Sequence, residues 1–186
     1  RTFYQESDDI LWIGTMFGGL DRFDRQTGSW HHYIHDPSDP DSLSNNFVSD
    51  VYRDRSGVLW IGTQSGLDKF DPESAIFTHY NPDPNSSPGA PSNNVRTIYE
   101  YQANKFWIGT DGGLYRFDYK DESWSQQYRL NPDDSKKAGE NWVFSFLEDQ
   151  EGRIWVGTIG GGLNQFDPEK EIFTRFQSNP DDPTSL

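Results

Sequence analysis

One four-residue string constrains what this chain can fold into. Trp-Ile/Val-Gly-Thr occurs four times, opening at Trp12, Trp60, Trp107 and Trp155, with spacings of 48, 47 and 48 residues. Each copy leads to a leucine (Leu20, Leu67, Leu114, Leu163) and then to Phe-Asp at Asp24, Asp71, Asp118 and Asp167. An aromatic stands six residues after each Asp, at Trp30, Phe77, Trp124 and Phe173. Asp/Asn-Pro closes each unit, at Asp36-Pro37, Asn81-Pro82, Asn131-Pro132 and Asn179-Pro180. A fixed period of this length marks a repeat architecture in which each unit buries its apolar face against the next.

Within one unit the pattern predicts four strands: Phe47–Asp54 (a), Val58–Thr63 (b), Leu67–Asp71 (c) and Ile76–Tyr80 (d). The a–b turn reads Asp-x-x-Gly at Asp54–Gly57 and again at Asp149–Gly152. Aspartate there can bond an amide two residues on, and glycine at the fourth position tolerates positive φ. The c–d turn opens on the repeated Asp, followed by proline in Asp71-Pro72 and Asp167-Pro168. These connections are short enough for antiparallel hairpins. A lone four-stranded meander has two bare edges, and stacking copies around an axis is the β-propeller solution. The expected fold is therefore all-β, four blades of ~48 residues, at about 1–34, 47–80, 95–128 and 142–176, with a tail at 177–186. The glycine of each strand b (Gly14, Gly62, Gly109, Gly157) is expected to admit an aromatic or backbone from a neighbouring blade.

Composition supports this reading. Only 32% of residues are hydrophobic, but the chain holds 7 Trp, 9 Tyr and 13 Phe, and large rings let a few residues per blade form a core. Charge is 16 basic against 30 acidic residues, net −14, which argues against a nucleic-acid partner and against adhesion to an anionic membrane surface. Cysteine is absent, so disulfide, thiol and Fe–S chemistry are excluded. No apolar run approaches the ~20 residues of a membrane span. Met16 is the only methionine and Arg1 opens the chain, which reads as a segment of a longer polypeptide.

The run from Leu11 to Asp24, Leu-Trp-Ile-Gly-Thr…Gly-Gly-Leu-Asp-Arg-Phe-Asp, continues through Tyr33 and Asp36-Pro-Ser-Asp-Pro-Asp-Ser-Leu-Ser-Asn45. It resembles the two-component regulator propeller repeat, and the resemblance covers all four units. It implies seven-bladed propellers, often in tandem, in the extracytoplasmic sensor region of bacterial hybrid histidine kinases, many of them responsive to carbohydrates. By that resemblance the segment lies in the periplasm or otherwise outside the cytoplasm, with any kinase domain outside this chain.

Residues repeated in every blade hold the blade, whereas function on such scaffolds is built from loops that vary. Turn b–c and the d-to-a connection share the face that varies between units. The candidate ligand-binding residues there are Phe17, Gln64, Asn94, Asp111 and Trp142: aromatics to stack on sugar rings, polar groups to bond hydroxyls. Phe47 and Trp142 have an alternative reading as inter-blade core. His31, His32, His35 and His79 read as strand and loop histidines, since a strand does not converge them on a metal. Asp36–Asp41 lacks EF-hand spacing and reads as a solvated linker. No nucleophile, metalloprotease or P-loop motif occurs. The expectation is a non-enzymatic sensing module with no metal and no cofactor, binding a small molecule or oligosaccharide; a protein–protein scaffold and a propeller lyase or glycosidase are the alternatives. Trp60, Trp107 and Trp155 should be buried beside Leu67, Leu114 and Leu163. Trp12- and Trp155-type aromatics should be left bare on the end blades. Two copies joining head to tail into an eight-bladed homodimeric ring would cover them, a partial ring from a larger receptor being the alternative.

Overall fold

A computed structural model describes residues 1–83, 85, 90–125, 127–128, 130, 142–167, 170, 172–179, 181–182 and 184–185. Asn131-Pro132, Pro168, Pro180 and Leu186 lie outside the described residues. There are four antiparallel four-stranded sheets. Blade 1 is β1 (Thr2–Gln5), β2 (Ile10–Gly14), β3 (Leu20–Asp24) and β4 (Ser29–Tyr33). Blade 2 is β5 (Val48–Arg53), β6 (Leu59–Thr63), β7 (Gly66–Asp71) and β8 (Ile76–Tyr80). Blade 3 is β9 (Val95–Gln102), β10 (Lys105–Thr110), β11 (Leu114–Asp118) and β12 (Ser123–Trp124). Blade 4 is β13 (Trp142–Glu148), β14 (Ile154–Ile159), β15 (Gly162–Asp167) and β16 (Ile172–Phe176). The first strands β1, β5, β9 and β13 adjoin one another in sequence order, which places them on the axial side.

The repeated aspartates build the turns. Asp54 Oδ1 accepts from the amides of Ser56 and Val58, each at 2.9 Å, and its Oδ2 accepts from the Trp60 indole at 2.8 Å. Asp149 does the same for Glu151, Arg153 and the Trp155 indole. Gly57 (φ 91°) and Gly152 (φ 75°) close these turns in the left-handed region. One aspartate thus shapes the hairpin and orients the tryptophan that follows it. Blade 3 departs: its a–b turn carries Asn104 at φ 63° instead, and the buried Trp107 Nε1 has no partner.

Strand alternation gives each blade two apolar faces. In blade 2 one face is Val51, Leu59, Ile61, Phe70 and Phe77, packed on Trp12, Leu20 and Tyr33 of blade 1. The other is Tyr52, Trp60, Leu67 and Tyr80, packed on Ile98, Phe106 and Phe117 of blade 3. Trp107 and Leu114 meet Ile154, Val156 and Phe166 in the same way. Three such layers make the core.

Two expectations need correction. Tryptophan faces the following blade, so Trp12, Trp60 and Trp107 are buried at 3%, 0% and 1%, whereas Trp155 and Leu163 are only half-buried because no blade of this chain follows them. The bare face of blade 1 therefore carries Phe3 and Trp30 rather than Trp12; that of blade 4 carries Leu147, Trp155 and Phe176. The strand-b glycines admit neither ring nor backbone. A Cβ on Gly62 would lie 2.8 Å from Val95 Cγ1, and one on Gly14 or Gly109 2.5 Å from Val48 or Val143, the valine that opens the next blade.

His79 also differs from a plain surface histidine. Its Nδ1 bonds buried Asp68 (2.8 Å) and its Nε2 the Pro40 carbonyl (3.0 Å), while Asp68 Oδ2 accepts from the Ser44 amide. This network pins the 34–47 connection to blade 2. Within that connection Asp36 and Asp39 turn their carboxylates onto Ser38 and the Asp41 amide. Among the described residues no group of three or more His, Asp or Glu is placed to hold a metal ion.

Candidate functional site

The site grows from an irregularity in the innermost strands. Between the repeated valine and the residue opposite the strand-b glycine, each of β5, β9 and β13 carries one extra residue, a β-bulge. The bulged residues are Ser49, Arg96 and Phe144, and Arg1 precedes Thr2 at the corresponding place in blade 1. Bulges re-aim a side chain out of the regular alternation. Serine, arginine and phenylalanine follow one another at this place in β5, β9 and β13, each after the repeated valine.

Arg96 is the centre. Its guanidinium forks onto Asp111, Nε to Oδ1 and Nη2 to Oδ2, both at 2.6 Å, with the two side chains only 12% and 9% exposed. Asn94 Nδ2 donates to the same Asp111 Oδ2 at 2.6 Å. Aromatic faces surround the cation: Phe144 at 5.4 Å, Phe47 at 5.7 Å and Trp142 at 5.8 Å from ring centroid to Cζ. Arg1 Cζ also lies over the Phe47 ring, 4.6 Å from its centroid, and Phe17 meets Phe47 edge-on at 6.1 Å. Cation–π contacts of this kind add to a bidentate ion pair when solvent is partly excluded. Burial and the like charge of Arg96 lower the Arg1 pKa, and the Asp111 charge opposes them.

Two buried polar atoms at this end lack a hydrogen-bond partner, Asn94 Oδ1 and Ser49 Oγ. A buried unpartnered acceptor costs roughly 1–3 kcal/mol, so a donor that reached Asn94 Oδ1 would recover that cost. One strand-turn deeper, Asp50 stands where the other blades have Thr2, Thr97 and Ser145. It accepts from the Ile98 amide at 2.8 Å, and burial pushes its carboxyl up to about 6.

The structure thus gathers four of the five residues expected from sequence. Phe17, Asn94, Asp111 and Trp142 join one cluster; Gln64 contributes its backbone, donating to the Phe47 carbonyl at 3.2 Å, while its side chain is exposed. Phe47 and Trp142 are half-buried walls of the site rather than inter-blade core. Arg1, Arg96 and Phe144 were missed. The signal for them was the extra residue after each strand-a valine, which a strict alternation of in and out hides. The cluster offers ring faces, paired charges and an open acceptor, and its one carboxylate pair partner, Asp111, is tied to Arg96.

Four antiparallel meander blades with adjoining inner strands define a β-propeller array. Residues 42–65, 89–112 and 138–160 match the family described as two component regulator propeller. Each match takes in strands a and b of one blade, including the bulged residue of the innermost strand. The chain is similar to the extracellular domain of the hybrid two component system BT3049 of B. thetaiotaomicron, with TM-score 0.74, 29% identity and coverage of 93% of this chain and 23% of that one. It has the fold of virginiamycin B lyase from Staphylococcus aureus, at TM-score 0.66 and 12% identity over 95% of this chain and 55% of that one. A curated relative, histidine kinase P4 of Formosa agariphila, is 38% identical over 61 residues, 33% of this chain and 4% of the relative. The chain therefore spans less than a quarter of the BT3049 domain and a small fraction of the kinase.

Proposed function

We propose that this chain is part of an extracytoplasmic, non-catalytic sensing propeller of a two-component system, and that the Arg96 end of its axis takes a saccharide. The observation that carries this reading is the buried, unpartnered Asn94 Oδ1 beside the Arg96–Asp111 fork, within a wall of Phe47, Trp142 and Phe144. A sugar hydroxyl is the donor that acceptor lacks, and pyranose faces pack on aromatic rings. The extracellular placement of the BT3049 domain supports the location. No helix among the described residues is long and apolar enough to cross a membrane.

Titration with a panel of oligosaccharides, followed by tryptophan fluorescence, tests the reading. The expected result is a saturable change that disappears in Trp142→Phe and an affinity at least tenfold weaker in Asn94→Ala. Binding untouched by Asn94→Ala and Trp142→Ala would place the ligand elsewhere. We also propose that isolated copies of the chain associate end to end, the blade 4 face of one on the blade 1 face of another. Those faces correspond residue for residue to the ones that are buried between successive blades.

A further inference from the structure

A cleft lined by none of the Arg96-cluster residues lies elsewhere on the molecule. It has a volume of about 710 Å³ and opens between blades 1 and 2, lined by Trp12, Arg22 and Tyr33 on one side and Phe70 and Pro72 on the other. That is within the usual range of roughly 300–1,000 Å³ for small-molecule sites. The neighbouring interface shows why it is open. Between blades 2 and 3 the same space is filled by Tyr119, the residue after Asp118. Its ring stands edge-on to Trp60 at 5.1 Å, and its hydroxyl accepts from Lys69 Nζ at 2.7 Å. Next to it, the Tyr80 hydroxyl donates to Glu122 at 3.3 Å.

The strand registers map one interface onto the other. Trp60, Lys69 and Tyr80 correspond to Trp12, Arg22 and Tyr33, because Trp60 pairs Lys69 as Trp12 pairs Arg22, and Leu67 pairs Tyr80 as Leu20 pairs Tyr33. Phe117 corresponds to Phe70, Tyr119 to Pro72 and Glu122 to Ala75. Both filling side chains are thus replaced by small ones at the first interface, while the groups they satisfied remain. Arg22 and Tyr33 have no side-chain hydrogen-bond partner among the described residues, where Lys69 and Tyr80 each have one.

We propose that this cleft binds a small hydroxyaryl carboxylate in the position that Tyr119 occupies one interface further on. Tyr119 is the internal example of the guest: a phenol ring against a tryptophan, with its oxygen on a cation. Arginine in place of lysine favours a carboxylate over a bare phenol, because the planar guanidinium offers two parallel donors matched to two oxygens. The surrounding charge agrees. Arg22 and Arg53 line the cleft together with Glu6 and Asp71, so it presents cations in a chain of net charge −14. Arg53 is held at the mouth by Glu6 at 3.0 Å, which leaves Arg22 as the anchoring cation. The site is separate from the Arg96 cluster, so the two stand or fall independently.

Isothermal titration of the chain with 4-hydroxybenzoate is the test. One saturable site is expected, weakened at least tenfold by Arg22→Gln and abolished by Pro72→Tyr, which places a phenol ring where Tyr119 has one. Pro72→Tyr should also raise the melting temperature, a readout showing that the ring has entered the cleft. An absence of saturable binding would overturn the proposal, as would binding that survives both Arg22→Gln and a stabilising Pro72→Tyr. Equal affinity for glucuronate, an acid without an aromatic ring, would overturn the aromatic class of ligand.

Discussion

At the scale of single residues, the same tryptophan has different surroundings in successive blades, and the difference is measurable. Trp60 is fully buried and donates to Asp54, whereas Trp107 is as buried but its indole nitrogen has no acceptor. Trp60→Ala should cost roughly 3–5 kcal/mol, the range for emptying a large aromatic site. Trp60→Phe should cost about 1–3 kcal/mol more than Trp107→Phe, because only the former strips a buried carboxylate of a donor; urea denaturation of the two variants gives the comparison. Asp50 and His79 make the fold sensitive to pH. Burial raises the Asp50 carboxyl to about 6, above its unfolded value, so its contribution is fully present below about 4 and is lost as pH rises through 6. Asp50→Asn should therefore raise the melting temperature relative to wild type at pH 7.5 and lose that advantage at pH 4. The Asp68 hydrogen bond raises the His79 pKa, despite opposing burial. Its stabilising contribution is present below the ordinary histidine range and declines as pH passes through the raised value. His79→Gln should remove that part of the pH dependence, read by thermal melts between pH 5.5 and 8. Neither environment was legible in the sequence, where Asp50 is one acid among 30 and His79 one of four scattered histidines.

At the scale of elements, hairpin geometry follows from local chemistry: strand d was expected at Ile76–Tyr80 and β8 spans those residues. Strand contacts between blades follow different rules. Gly62 was recognised as a place of close approach, but what approaches is the β-branched Val95 of the next inner strand, not a ring. Gly62→Ala should destabilise by roughly 1–3 kcal/mol, the cost of forcing a methyl into a packed contact. Combining it with Val95→Ala should cost less than the sum of the single changes, and a double-mutant cycle in denaturant measures the coupling. The bulges at Ser49, Arg96 and Phe144 belong to this scale too. They turn a repeated strand into a carrier of varied side chains.

At the scale of the whole molecule, three blade-to-blade interfaces form and two end faces are bare. Phe3 is 78% exposed and Leu147 63%, at positions whose counterparts Val51 and Tyr52 are buried or half-buried between blades. Contiguous apolar surface of this kind drives association. Light scattering of the isolated chain should give twice its 21.5 kDa mass, and Phe3→Asp with Leu147→Asp together should return it to the mass of one chain. A single-chain mass for the unmodified protein would rule out the end-to-end dimer. The sequence by itself determined the repeat, the four-stranded blade, the turn aspartates and the face on which variation concentrates, because each depends on contacts within about fifty residues that recur in register. Only the tertiary structure decided which way each tryptophan faces, that Arg96 rather than Gln64 centres the axial cluster, and that a cleft opens beside Pro72 where Tyr119 closes the next one. Those outcomes depend on how one blade sits against another, and packing across an interface is a property of two surfaces at once, which no single stretch of chain encodes.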